Sequence, residues 1–308
     1  MAQPILHHYG LSPFSEKIRL ALGLKGVAWG SVEIPPAPPR PLLVPLTGGY
    51  RRTPVLQVGA DIYCDTSIIL RTLDRLHPTP SLYPEGSRGF AEALAFGWER
   101  RAWIPAIGVL VHFLGNLPPD FIQDRKESYL YIDISKDAME PEFPQNVQRL
   151  VAQLAWLKTA LGDGRRFLFG NAPSVADLAY FQVLWLIRKN SPPAEVDALL
   201  GLAPILSWYE RMLAIGHGRP ETMSAEDAFA VARDASPAPV THLEADGDPG
   251  GLRAGTKVTV TPDDNAKVPV AGTLVAADAT EVVIHRRDER AGDLHVHFPR
   301  AGFDVVPA

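Results

Sequence analysis

Hydrophobic periodicity changes character twice along this chain of 308 residues, and that limits its possible folds more than any other feature. Up to residue 80, short apolar runs alternate with helical stripes. From residue 88 to 235 nearly every segment repeats with a helical period. Beyond residue 257 the pattern is that of short strands separated by turn residues. The order predicts a small α/β domain, then an all-α helical bundle, then a small all-β barrel-like module.

In the first region, residues 5–9 read as a strand that ends at Gly10. Phe14, Ile18, Ala21, Leu22 and Lys25 follow at helical spacing, and Gly26 stands where a helix C′ residue belongs. Residues 27–34 predict a second strand, running into prolines 35, 36, 38, 39 and 41, an extended surface segment that cannot be helical. Residues 55–58 and 61–64 flank Gly59-Ala60, a two-residue hairpin signal. Ile68, Ile69, Thr72, Leu73 and Leu76 trace a helix closed by His77-Pro78.

The helical region carries apolar stripes through Phe90, Ala91, Leu94, Ala95 and Trp98, and through Val147, Leu150, Val151, Leu154 and Leu157. Residues 175–187 are apolar on almost every side, which predicts a central buried helix. It opens with Ser174-Val175-Ala176-Asp177, a capping box with Asp in place of Glu, and Ser224 to Asp227 repeats that pattern. The expected boundaries are 1–82 for the first domain, 88–234 for the helical domain, 235–250 for a linker and 251–308 for the last module.

In that module, runs at 257–261, 270–276, 281–286, 294–298 and 303–306 predict five strands. Arg290-Ala291-Gly292 fits a three-residue hairpin loop, a register that pairs Ile284 with Phe298, and His285 with His297 beside His295. Three same-face histidines could hold a divalent metal, but histidines on a polar face are more often solvated, so no metal is expected.

Composition narrows the function classes. Apolar residues make up 46%, enough for sizeable cores. Thirty Lys and Arg stand against 35 Asp and Glu, a net charge of −5, and from Gly251 onward the balance is 7 against 8. No nucleic-acid or anionic-membrane partner is therefore expected. No long apolar run predicts a membrane span. One cysteine, Cys64, excludes an intrachain disulfide framework. The N-terminus lacks a basic segment followed by an apolar one, so a cytoplasmic location is expected.

Three motifs of the first region carry chemistry. Leu11-Ser12-Pro13-Phe14-Ser15 lies at the strand-to-helix turn, Arg51-Arg52-Thr53-Pro54-Val55-Leu56 puts a proline before a strand, and Asp65-Thr66-Ser67 opens the next helix. With Gly170-Asn171-Ala172-Pro173-Ser174-Val175-Ala176-Asp177 in the helical region, this order resembles the glutathione transferase superfamily over residues 4–235. The first helix is similar to that of the serine-type classes and the cysteine-type omega class.

The resemblance implies an α/β thioredoxin-like domain followed by an all-α helical one, with glutathione as co-substrate, a small electrophilic substrate and a homodimer. It assigns Ser12 as the catalytic residue, with Phe14, Arg52, Thr53, Pro54, Asp65 and Thr66 as the glutathione-binding set. Thr53-Pro54 would be the cis-proline against which the cysteinyl unit pairs. Asp65 and Thr66 would hold the γ-glutamyl end, and Arg52 would meet the glycyl carboxylate. Asp65 is one methylene shorter than the family's Glu, and Thr66 is bulkier than its Ser.

The physical logic of Ser12 stands beside the family name. A thiol of pKa about 8.5 is mostly protonated at neutral pH, and the thiolate is the nucleophile. Lowering that pKa by about two units takes about 2.7 kcal/mol of preferential thiolate stabilisation. One charged hydrogen bond, worth about 1.5–3 kcal/mol, together with a helix N-terminus can supply it. Ser12 also reads as a plain helix cap with Pro13 at N1, and the two roles are compatible. Ser15 is the second candidate for the thiol contact. A disulfide reductase would want Cys at position 12.

On the acceptor side, Trp98, Arg101, Trp103 and His112 are candidates, although the two Trp residues read equally as bundle core and Arg101 as solvent-facing. The leading expectation is a glutathione transferase, including a glutathione-dependent isomerase or lyase. The alternative is a catalytically inactive scaffold of the same family or a hydrophobic-ligand-binding protein.

Overall fold

The computed structural model describes residues 2–243 and 247–308. Residue 1 of the first domain and residues 244–246 of the expected linker lie outside the described residues. The chain divides into two compact units, one from the described part of 1–18 with 26–72 and 218–308, the other from 19–25 and 73–217.

The chain begins with β1 (Ile5–His8), α1 (Pro13–Lys25) and β2 (Ala28–Glu33), a crossover that leaves β1 and β2 parallel. Ser12 caps α1 by accepting the Ser15 N–H at 3.1 Å, and Gly26 follows the helix at φ 62°. The proline run stays irregular, as expected. The Arg40 guanidinium holds it by donating to the carbonyls of Pro35, Pro36 and Arg51 at 3.0, 3.1 and 2.8 Å. A five-residue helix the sequence did not suggest then forms, α2 (Leu43–Thr47), with Pro45 inside its first turns where no intrahelical donor is lost. Gly48 ends it at φ 73°, and a Cβ there would collide with the Arg286 guanidinium.

β3 (Val55–Val58) and β4 (Asp61–Cys64) form the hairpin around Gly59-Ala60, and β3 also pairs antiparallel with β1. α3 (Thr66–Leu76) follows. This is the thioredoxin-like arrangement, with strands ordered β2-β1-β3-β4.

The helical unit contains α4 (Arg88–Leu114), α5 (Pro119–Asp124), α6 (Lys136–Met139), α7 (Phe143–Leu161), α8 (Val175–Lys189), α9 (Pro193–Leu200) and α10 (Leu206–Leu213). α8 is the buried central helix, and its capping box is formed. The Asp177 carboxylate accepts the N–H groups of Ser174 and Leu168 and the Trp208 indole N–H, each at 2.9 Å. One short acidic side chain thus ties the start of α8 to the loop before it and to α10. Trp98 is bundle core: its indole donates to the Ala179 carbonyl at 3.0 Å and stacks on Tyr180. Arg101 is exposed, as the ordinary reading has it.

The first unit resumes with β5 (Arg219–Thr222), inside a stretch read as helical, which pairs parallel with β2. α11 (Ala225–Arg233) is capped by Ser224, which accepts the Asp227 N–H at 3.0 Å. β6 (Lys257–Pro262), β7 (Val270–Ala277), β8 (Glu281–Asp288), β9 (Gly292–Pro299) and β10 (Phe303–Pro307) are the five expected strands. Their order is β10-β6-β7-β8-β9, the last strand folding back antiparallel onto the first.

The β8–β9 register differs from the sequence expectation by two residues. Ile284 faces Val296 and His285 faces His295, while Val282 and Val283 take Phe298 and His297. The cause is the turn: the Asp288 carboxylate accepts the N–H groups of Arg290 and Ala291 at 2.9 and 3.1 Å, so the loop is residues 289–291 and Gly292 is the first strand residue, at φ 80°. A shift of two keeps every side chain on its expected face.

β9 lies parallel to β4, its His295 N–H donating to the Ala60 carbonyl at 3.1 Å. The edge of the thioredoxin-like sheet is thereby covered and all ten strands form one sheet. The residues set apart as 251–308 also share a core with the first domain. Ile62 and Cys64 of β4, Phe229 of α11, and Val260, Ile284, Val296 and Phe298 of the later strands form one continuous apolar cluster.

Candidate functional site

Sheet register brings the three motifs to one end of the thioredoxin-like sheet. His7 faces Val55, and Val55 faces Cys64 on its other side. The turn after β1, the entry to β3 and the exit of β4 therefore converge. α1 and α3 both begin there, so two helix N-termini with their unpaired N–H groups favour negative charge at this end.

Ser12 is buried and its Oγ takes the Ser15 N–H. No described acceptor takes its own hydroxyl proton, so cap and donor are compatible in this geometry. Ser15 is fully buried, and its Oγ has no hydrogen-bond partner. Phe14 is half-buried. The Thr53–Pro54 peptide is cis, both residues are buried, and Thr53 Oγ1 has no partner. Buried hydroxyls without partners cost stability unless something else satisfies them.

Asp65 sits at φ 100°, a strained conformation for a residue with a Cβ, of a kind concentrated at ligand clamps. Its Oδ1 accepts the Ser67 N–H and hydroxyl at 2.9 and 3.0 Å, which fixes the carboxylate over the start of α3. Thr66 Oγ1 accepts from Lys17 Nζ at 3.1 Å, and both residues are buried.

Arg52 lies within 3.9 Å of Asp65 Oδ2, while its guanidinium also pairs with the Asp264 carboxylate and the Asn265 carbonyl in the loop after β6. Burial, and then the neighbouring Asp65 charge, push the Cys64 thiol well up, so the one cysteine is a protonated core residue.

A family model described as "Glutathione S-transferase, N-terminal domain" matches residues 6–81, and one described as "Glutathione S-transferase, C-terminal domain" matches residues 140–211. A crystal structure of a GST-like protein from Pseudomonas syringae is 36% identical, with TM-score 0.78, over 100% of both chains. The chain belongs to the glutathione transferase superfamily.

A "Probable glutathione S-transferase" of Solanum tuberosum is 30% identical over 100 residues, which is 32% of this chain and 45% of that relative's length. Glutathione transferase GSTFuA3 of Phanerochaete chrysosporium shares the fold at TM-score 0.58 and 18% identity, over 70% of this chain and 98% of its own. The Pseudomonas protein is matched end to end, strand-rich segment included.

Within this glutathione transferase fold, the expected set of Ser12, Phe14, Arg52, Thr53, Pro54, Asp65 and Thr66 lies on the three converging segments. Sequence reasoning missed two neighbours. Lys17 reads as the solvated face of a helix, and only its burial against Thr66 reveals it. Asp264 sits in a loop of the last segment, and nothing local says that it meets Arg52.

Proposed function

We propose that this protein binds glutathione at the end of the sheet where α1 and α3 begin, and ionises its thiol. Asp65 would accept from the γ-glutamyl ammonium, and the Thr66 N–H at the start of α3 would meet that unit's carboxylate. The main chain at Thr53 would pair with the cysteinyl unit. Arg52 would face the glycyl carboxylate. The Ser12 hydroxyl would donate to the sulfur.

The thiolate attacks an electrophilic carbon of a small substrate. A carbon–sulfur bond forms, and the leaving group departs with its electron pair. The observation that carries this reading is Ser12: a buried serine at a helix N-terminus whose oxygen caps the helix and whose proton is uncommitted. The partnerless hydroxyls of Ser15 and Thr53 support it, because a polar ligand is what such groups await. The reading carries with it a cytoplasmic homodimer.

The test measures glutathione binding by calorimetry and the acidity of the bound thiol by its ultraviolet absorbance. Ser12→Ala should keep binding, raise the bound thiol's pKa by about two units and cut turnover by about 10- to 100-fold. Absence of glutathione binding by the wild type overturns the proposal. So does a bound thiol as weakly acidic as in buffer.

One observation favours the second reading, an inactive scaffold: Arg52 is already paired with Asp264. Asp264→Asn should tighten glutathione binding if the pair merely competes. A glutathione-blind protein with either residue at 264 belongs to the scaffold.

A further inference from the structure

We propose that Asp61, His295 and His297 form a site for one divalent transition-metal cation, with zinc the best chemical fit. Asp61 opens β4, while both histidines lie on β9. The parallel register sets Asp61 beside His295, and Tyr63 beside His297. Strand residues two apart share a face, so one carboxylate and two imidazoles point to one spot. His285, the third histidine of the sequence pattern, is not in the set. Its Nε2 pairs with Asp293 at 3.0 Å, and Asp61 from the other end of the chain takes its place.

Geometry fits the donor set. Asp61 Oδ1 is 2.9 Å from His297 Nε2 and 3.7 Å from His295 Nδ1, and the three donor atoms lie within 4.8 Å of one another. Zinc bonds of about 2.0–2.1 Å place tetrahedral ligands about 3.3 Å apart, between the two measured separations.

Two of the three ligands, His297 and Asp61, are also aimed by an outer contact. His297 Nδ1 meets Glu281 Oε1 at 2.7 Å, and the other Glu281 oxygen meets His242 Nε2 at 3.0 Å. The Ala238 N–H donates to Asp61 Oδ2 at 2.9 Å, which leaves Oδ1 for the cluster. His295 Nδ1 is buried without a hydrogen-bond partner. An imidazole whose second nitrogen is held by a carboxylate or a carbonyl is the arrangement of metal-bound histidine.

The open side is that of His295, 13% exposed, and its neighbour His285, 40% exposed. A cation can enter there, and water can fill the fourth position. The function assigned is structural. The cation would clamp β9 to β4 across 236 residues of chain, where the main-chain pairing of the two strands is short.

Full-length protein stripped with a chelator is titrated with Zn2+ by calorimetry and with Co2+ by visible absorption. We expect one ion per chain, a dissociation constant at or below about 1 µM, tetrahedral Co2+ bands, and a raised melting temperature with Zn2+. His295→Gln alters the least embedded ligand and should fold. It should weaken binding by about 100-fold and abolish the thermal shift, while His285→Ala leaves both intact. No stoichiometric binding by the wild type overturns the site. Binding unchanged in His295→Gln overturns it too, and leaves the cluster as a buried network of His297 between two carboxylates.

Discussion

The two ends of β4 carry polar clusters that are finished to different degrees. At the Asp61 end, Asp61 and Glu281 use both carboxylate oxygens, and both ring nitrogens of His297 are engaged. At the Cys64 end, the hydroxyls of Thr53 and Ser15 are buried with no partner, and Asp65 holds a strained backbone. Buried polar groups that satisfy one another hold a scaffold together, and those left open cost stability unless a ligand or water satisfies them. The exception at the first end, His295 Nδ1, is the atom that singles out the cation site.

If the Asp61 end is a scaffold, breaking it must be costly. Asp61→Ala removes the acceptor of the buried His297 ring and of the Ala238 N–H at once. Stripping one partner from a buried ionic network costs about 3–5 kcal/mol. Denaturant unfolding of chelator-treated protein should show that loss. A change below about 1 kcal/mol would mean the network is solvated, and the contrast between the two ends would disappear.

Two histidines extend the contrast to pH. Burial alone would lower His297, but Asp61 and Glu281 outweigh it and hold the ring above its ordinary value. His7, in the row of Val55 and Cys64, has only the Gln57 amide, at 2.9 Å, and burial takes it from 6.5 to about 4. Between those values the unfolded chain binds a proton that the folded chain does not, so stability rises with pH and falls on acidification. The change integrates to about 3 kcal/mol. His7→Gln can still bond Gln57 and cannot titrate. Compared by urea unfolding at pH 7 and about pH 4, it should lose about 3 kcal/mol less on acidification than the wild type. Equal losses in both proteins would place a protonated His7 in the fold.

Much of this was legible in the sequence because it rests on local signals. Ser12-Pro13, Ser174 to Asp177 and Ser224 to Asp227 are caps whose chemistry lies within four residues, and each formed. The Gly59-Ala60 hairpin and the five late strands announced themselves by alternation and turn residues.

What stayed hidden depends on partners distant in sequence. Pairing of β9 with β4 uses main-chain groups that every strand edge offers, so neither strand's own sequence announces it. β5 is exposed throughout and contains Pro220, so it carries no strand pattern. Asp61 looks like a polar hairpin flank until the histidines arrive beside it. Lys17 and Asp264 are ordinary surface charges until burial and the Arg52 contact give them roles. The residue types of the proposed thiol site were legible in the sequence. Its open hydroxyls depend on how the surrounding segments pack, which no local pattern encodes.

Those hydroxyls give the smallest and sharpest measurement. Thr53→Val keeps the branched shape and removes an oxygen that bonds to nothing in the described structure. Deleting an unsatisfied buried hydroxyl forfeits no hydrogen bond and relieves a desolvation cost, so unfolding free energy should stay within about 0.5 kcal/mol of the wild type or rise. The same variant should bind glutathione more weakly, because the ligand would be what satisfies that oxygen. Stability and affinity then separate at the Cys64 end, whereas at the Asp61 end a single substitution costs several kcal/mol of stability. A destabilisation above about 1 kcal/mol in Thr53→Val would show that its hydroxyl serves the fold. Unchanged affinity would show that the Thr53 hydroxyl takes no part in binding.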